Sequence, residues 1–314
     1  MDKLKIIIPE RMKGDRLDFA LSKMLPDISR SKITASIKAG DTLIEDKVFK
    51  AKDKSNGSEV ITFSFDHKVI NEWLPEKIPL EIIFEDEDLI VINKQTGLVT
   101  HPGPGNWSGT LANALLHYDE SLAKLDRAGI VHRLDKDTYG LMVVAKNMKS
   151  QKYLVDQLQS HSIQREYSAI VYGYMISGGS VEKPIGRDPK NRVKQAVVAN
   201  GKEALTHYRL VDRFKNHTHL KAILETGRTH QIRVHLSHIG NPLIGDPLYG
   251  GQVRFPKKAS EDLKKSLKNF RRQALHSKKL TLVHPVSGEV MSWKSFLPDD
   301  MNKLLNILKE FDNY

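Results

Sequence analysis

The sequence predicts an α+β protein, on three observations. Short β-branched runs recur from Leu80 to about Phe296 with only a few helical segments among them. Strand and helix do not alternate strictly, as a doubly wound sheet would require. A shorter, helix-led stretch precedes this region, and 314 residues suffice for two domains.

Taken in order, residues 1–66 read as a small module. Helices are predicted over Arg16 to Leu25 and Ser29 to Ala39, the second capped by Ser29 or Asp27 and ended by Gly40. Short strands follow, with a turn at Lys54-Ser55-Asn56-Gly57. The second helix carries Arg30, Lys32 and Lys38, and no acid lies between Ile28 and Gly40. Such a helix offers a basic face and an N-terminus suited to a phosphate. An ordinary solvated helix face would look the same.

Residues 67–79, with Pro75 and Pro79, read as a linker. Glu81-Ile82-Ile83-Phe84 and Leu89-Ile90-Val91-Ile92 flank an acidic turn and predict a hairpin. It opens the larger domain, residues 80–298. Residues 299–314 close the chain, with an amphipathic helix over Asp299 to Asp312 that turns Leu304, Leu305, Ile307 and Leu308 inward. No repeat of 20–50 residues is visible.

The apolar fraction is 39% and the charged fraction 28%, values that suit a globular chain. The net charge of +11 favours a polyanionic partner, with nucleic acid the commonest. The chain has no cysteine, which removes disulfides, thiolate metal sites and cysteine nucleophiles. No apolar stretch approaches the roughly 20 residues of a membrane span, and no signal-peptide pattern is present. The expectation is a cytoplasmic protein without membrane contact.

The densest chemistry lies in His132-Arg133-Leu134-Asp135-Lys136-Asp137-Thr138, a polar loop feeding the apolar run Leu141 to Ala145. Asp135 stands between Arg133 and Lys136, and cations that close favour a charged carboxylate. A charged carboxylate can serve as nucleophile or base. Turn residues bonding to their own backbone would have the same composition. A second stretch, Thr226 to His238, holds Arg228, His230, Arg233, His235 and His238 with apolar residues between them. Three histidines suggest a metal, but no acid lies within the stretch and two arginines would repel a cation, so no metal is expected. Arginine and histidine at that density suit phosphates and bases. Tyr167, in Arg165-Glu166-Tyr167, is either a core aromatic or a face for a nucleobase. Arg254 to Lys279 contains ten Lys/Arg against two acids and reads as a helix and loop toward an RNA backbone.

These motifs together resemble the RluA/RluD family of pseudouridine synthases. His132 to Thr138 is similar to that family's catalytic-aspartate motif, Arg165-Glu166-Tyr167 to its second, and Gly227 to His235 to its third. His101-Pro102-Gly103, Gly109-Thr110-Leu111, Asn241 to Gly250 and Gln273-Ala274-Leu275-His276 occur in the family's order. Residues 1–66 resemble the αL RNA-binding domain shared with ribosomal protein S-four. Two positions depart from the pattern: Gln95-Thr96 replaces Pro-Ala, and Tyr139 replaces a small residue or threonine.

The resemblance implies a mainly antiparallel mixed sheet with flanking helices and a central cleft. It implies a cofactor-independent isomerase that turns uridine into pseudouridine. Asp135 would act at ribose C1′, Tyr167 would lie against the uracil, and Arg233 would pair with Asp135. Arg133 would take the place of the flipped base. His132, Arg228 and His230 would contact the RNA, as would Arg30, Lys32 and Lys38 of the small module. The implied partner is structured RNA, large-subunit ribosomal RNA first and transfer RNA second, and the protein is expected to be a monomer.

Two rival classes compete with this reading. A kinase would need His-Arg-Asp followed by Asp-Phe-Gly, and neither occurs; a Walker lysine motif is also missing. A non-catalytic RNA-binding or ribosome-assembly factor explains the charge equally well, but it has no need of Asp135, Tyr167 and Arg233 together.

Overall fold

The computed structural model describes residues 2–25, 30–45, 47–65, 73–103, 105–191 and 193–312. The helix caps expected at Asp27 or Ser29, the first half of the linker and the side chain of Lys32 lie outside the described residues. The chain divides into two compact units, Met1–Val69 and Ile70–Tyr314.

The first unit contains β1 (Asp2–Ile7), α1 (Leu17–Met24), α2 (Arg30–Ala39), β2 (Thr42–Ile44) and β3 (Val60–Phe65). β3 lies between β1 and β2, and both pairings are antiparallel. Ile61 and Phe63 pack with Leu17 and Leu21 of α1 and with Ile33 and Ile37 of α2. Ile33 and Ile37 share a face because they are four residues apart. Lys38 is exposed. Arg30 is engaged within the unit: its Nη2 donates to Asp18 Oδ1 at 2.8 Å and its guanidinium lies over the Phe19 ring. The basic helix face expected here is therefore partly neutralised by a carboxylate from the neighbouring helix.

The second unit opens with β4 (Ile82–Glu85) and β5 (Leu89–Lys94), then α3 (Leu111–Tyr118), β6 (Tyr139–Ala145), α4 (Met148–Gln159) and β7 (Gln164–Tyr172). β8 (Gly179–Glu182), β9 (Ile185–Arg187), β10 (Gln195–Val197), β11 (Leu205–Phe214) and β12 (His217–Leu224) follow. Then come α5 (Gln231–His238), α6 (Glu261–Asn269), β13 (Leu275–Val283), β14 (Val290–Lys294) and α7 (Asp299–Asp312). Nine strands form one sheet in the order β4-β5-β6-β13-β7-β12-β11-β8, with β14 also paired to β13. Every pairing in it is antiparallel except β6 with β13. The architecture is the α+β fold the sequence predicts.

Period-two alternation decides which face each side chain serves. Ile90, Ile92, Met142 and Val144 join one core with Leu111 and Leu115 of α3. Leu89, Val91, Leu141 and Val143 join the other with Leu154 of α4. Both faces of β5 and β6 are thus buried, which anchors the loop that leads into β6. The parallel pairing of β6 with β13 brings backbones into close approach at Gly140, whose φ is +124°. A Cβ there would stand 2.3 Å from the Ser277 carbonyl oxygen, so only glycine fits.

The basic stretch expected to face RNA as a helix and loop is divided among several structures. Its last part, from Leu275, begins strand β13, with Leu275, His276 and Ser277 buried and Lys278 exposed. Arg272 is committed to Asp300 of α7 at 2.6 and 2.7 Å. Leu263 and Leu267 turn α6 inward onto Leu304 and Leu308. No helix among the described residues is long and apolar enough to cross a membrane.

Candidate active site

Asp135 lies on the loop that enters β6, and four consecutive carbonyls of this loop are held. The Thr100 hydroxyl donates to Leu134 O at 2.8 Å, and Thr138 N–H to Asp135 O at 3.0 Å. Lys94 Nζ donates to Lys136 O at 3.0 Å, and Arg272 Nη1 approaches Asp137 O at 3.4 Å. Gln273 Nε2 donates to the Thr138 hydroxyl at 3.0 Å. Leu134 is buried among the core residues. Apart from Thr138, which belongs to the loop itself, the donors come from two other segments, Lys94 to Thr100 and Arg272-Gln273, so the Asp135 backbone is fixed in advance of any substrate.

The Asp135 carboxylate is mostly enclosed. Its Oδ2 accepts from Arg233 Nη1 at 2.8 Å. Arg233 projects from α5 and gives its other edge to Asp246, Nε to Oδ2 at 2.7 Å and Nη2 to Oδ1 at 2.9 Å. Burial alone would lower the Arg233 value, but the bonds and charges of Asp246 and Asp135 hold it above that of an ordinary arginine. Asp246 Oδ1 also accepts the N–H groups of Leu248 and Tyr249, and the Tyr249 ring lies under the Arg233 guanidinium at 5.1 Å. The sequence neighbours of Asp135 behave otherwise than expected. Neither Arg133 nor Lys136 forms an ion pair with it among the described residues; the cation that does is 98 positions away.

His230, in the left-handed region at φ 57°, caps the start of α5. Its Nε2 is 3.8 Å from Asp135 Oδ1 and its Nδ1 is 2.9 Å from the Tyr249 hydroxyl. That hydroxyl also accepts Gln195 N–H. Burial lowers the His230 value against the pull of Asp135, so the ring is neutral near pH 7.

Lys94 is enclosed, with Nζ donating to Gln95 O, Leu98 O and Lys136 O at 2.8, 2.9 and 3.0 Å. Burial pushes its ammonium down to about 7 against the opposing charges of Asp135 and Asp137. Three acceptors match the three hydrogens of an ammonium.

The remaining expected residues fall into separate groups. Tyr167, on β7, is buried in the central core; burial raises its phenol, with a smaller contribution from Asp135. Arg133 is exposed and makes no hydrogen bond or ion pair among the described residues. Arg228 Nε is used by Glu203 O at 2.9 Å. The His132 ring is enclosed and accepts Val143 N–H on Nε2 at 3.1 Å; burial first, then Arg165, pushes it down to about 3. One edge of His132 is thus spent on β6. Arg30 and Lys38 belong to the first unit. Tyr139 gives its hydroxyl to Glu81 and accepts Asn93 Nδ2, which ties it to the β4–β5 hairpin.

Asp246, Tyr249 and Lys94 have no role in the sequence reading. Asp246, in Gly-Asp-Pro, has the composition of a turn, and a lone lysine before a turn looks solvated. Only the order of the sheet brings them to Asp135.

The three histidines after Gly227 hold no common ion: His235 is spent on Thr206 and Lys183 O, at 2.9 and 3.0 Å. Asp86, Asp88 and His284 do converge. However, His284 Nδ1 accepts the N–H groups of Val286 and Ser287, so its hydrogen resides on Nε2 and is donated to Asp86. That group is a satisfied hydrogen-bond set.

The family described as RNA pseudouridylate synthase matches residues 88–238, which include Asp135, Tyr167 and Arg233. Identity extends further. The chain is 50% identical over 308 residues to ribosomal large subunit pseudouridine synthase D of Escherichia coli O6:H1 (strain CFT073), covering 98% of this chain and 94% of that protein. It is 48% identical over 303 residues to the protein of that name from Pseudomonas aeruginosa, covering 96% and 95%. Human RNA pseudouridylate synthase domain containing 4 superimposes with a TM-score of 0.57 at 27% identity, covering 73% of this chain and 93% of that one. The fold is that of a base-modifying isomerase. The chain belongs to the RNA pseudouridine synthase family, as the motifs of its sequence imply.

Proposed function

We propose that this protein converts uridines of large-subunit ribosomal RNA to pseudouridine, with Asp135 as the group that acts at ribose C1′. The observation that carries the reading is the Asp135–Arg233 pair at 2.8 Å on a loop fixed by its carbonyls. Relatives named for the large ribosomal subunit match over nearly their whole length, which favours that RNA over transfer RNA. The +11 charge suits a polyanion.

In this reading the target base leaves the helix at a cost of a few kcal/mol. The C1′–N1 bond breaks, the uracil turns, and a C1′–C5 bond forms. The C5 hydrogen is lost and N1 gains one, so atoms and electrons balance without oxidant or second substrate. A covalent ester at C1′ and a glycal route both begin from the charged Asp135 carboxylate. Tyr167 packs against the uracil, and exposed Arg133 occupies the vacated place, since its planar guanidinium can stack as a base does. His132, Arg228 and His230 complete the surroundings of the flipped nucleotide. Residues 1–66 act as the RNA-binding module, with Arg30, Lys32 and Lys38 toward phosphates. The protein works in the cytoplasm as a monomer.

The test is release of tritium from uridine labelled at C5 in an unmodified large-subunit transcript, with a transfer-RNA pool alongside. Asp135→Asn is expected to abolish release, a loss of at least about 1,000-fold, while RNA affinity stays within about threefold. An active Asn variant would remove Asp135 from its role. Release from the transfer-RNA pool alone would overturn the substrate.

A further inference from the structure

The two oxygens of Asp135 are not equivalent. Oδ2 is bonded to Arg233, whereas Oδ1 accepts no hydrogen bond among the described residues and has His230 Nε2 at 3.8 Å. A guanidinium facing a carboxylate ordinarily forms a two-pronged pair that occupies both oxygens. Here that pair is made elsewhere, with Asp246, through Nε and Nη2 at 2.7 and 2.9 Å.

Asp246 is built for this. Its side chain is 0% exposed. It follows Gly245, whose φ of +70° and a Cβ position 2.4 Å from the Phe270 and Arg272 carbonyl oxygens exclude any side chain. Its Oδ1 is fixed further by Leu248 and Tyr249 N–H at 2.9 and 3.0 Å. The Tyr249 ring blocks one face of the guanidinium. Arg233 therefore has no freedom to turn its Nη1–Nη2 end fully onto Asp135.

We infer that Asp246 is a positioning residue that captures one edge of Arg233, limits it to a single bond with Asp135, and so keeps Asp135 Oδ1 free to act on the nucleotide. The inference rests on the proposed role of Asp135. Without Asp246, Arg233 closes on both oxygens of Asp135. The ion pair becomes tighter and the carboxylate less reactive, a change in turnover and not in RNA binding.

The experiment is a double-mutant cycle on the full-length chain, with kcat and KM measured on whichever RNA the wild type turns over. Wild-type activity on the large-subunit transcript reports on the substrate reading alone; the ratio of variant to wild type reports on Asp246. Asp246→Asn is expected to lower kcat about 100-fold with KM within about threefold. Arg233→Lys offers a point charge that cannot fork. In that background Asp246→Asn is expected to cost less than about threefold, because neighbours that act through one another are not additive. An equal loss in both backgrounds would overturn the inference, as would a raised KM with kcat intact. Asp246→Glu displaces the carboxylate by one methylene and serves if the Asn variant does not fold. A loss of kcat of about tenfold or more with KM held supports the inference, and wild-type kcat overturns it.

Discussion

Lys94 lies wholly inside the protein with its Nζ among three carbonyl oxygens, one of them in the Asp135 loop. Replacing it by Met leaves three buried acceptors without a donor, an expected cost of about 2–4 kcal/mol. The sign of its pH dependence follows from its lowered value. The folded protein releases the Lys94 proton near pH 7, while the unfolded chain holds it until about 10.5. Between those limits the unfolded state binds more protons, so stability rises with pH; below pH 7 the Lys94 contribution is flat. Urea unfolding at about pH 6.5, 8 and 9.5 is expected to show the wild type gaining on Lys94→Met by up to about 1.4 kcal/mol per pH unit. A constant gap across that range would show that Lys94 keeps its proton.

At the scale of elements, β6 and β13 meet at Gly140, and its substitution tests how the sheet supports the site. Gly140→Ala drives a Cβ against the Ser277 carbonyl and must separate the two strands. The expected cost is about 3 kcal/mol, a fall in Tm of about 6–12 °C. A thermal scan by circular dichroism measures it, and an unchanged Tm would mean that the strands have room to yield. The sequence reveals those elements whose signals are local. The hairpin of β4 and β5 is visible in two apolar runs around an acidic turn, and α7 in the spacing of Leu304, Leu305 and Leu308. α5 is less legible. Ile232, Val234 and Leu236 alternate as in a strand, yet the segment coils because His230 adopts a left-handed conformation and Gln231 bonds back to Arg228 and Thr226. The pairing of Asp135 with Arg233 follows from the family resemblance and not from spacing. Asp246 remains hidden in the sequence, because its meaning depends on where α5 lands against the turn before α6.

For the whole molecule, charge and modularity are the relevant quantities. The residues proposed for catalysis all lie in the unit Ile70–Tyr314, and the first unit contains Arg30 and Lys38, with part of that charge already matched by Asp18. If residues 1–66 bind phosphates, their removal weakens RNA binding and flattens its salt dependence. The expected change is a slope of log Kd against log salt smaller by about 2–3, at roughly 0.7–0.9 for each phosphate that no longer meets a cation. Anisotropy titrations across a salt series measure it, and an unaltered slope would take the module off the RNA.

The carbonyls pinned from Leu134 to Asp137 bear on which partner must move. A loop with every acceptor occupied has no slack to fold over an incoming nucleotide. Distortion then falls on the nucleic acid, and the enzyme works as an anvil instead of a clamp. Uridines whose stacking is already loose reach such a surface at the least cost, so the pliability of the RNA selects among chemically identical sites.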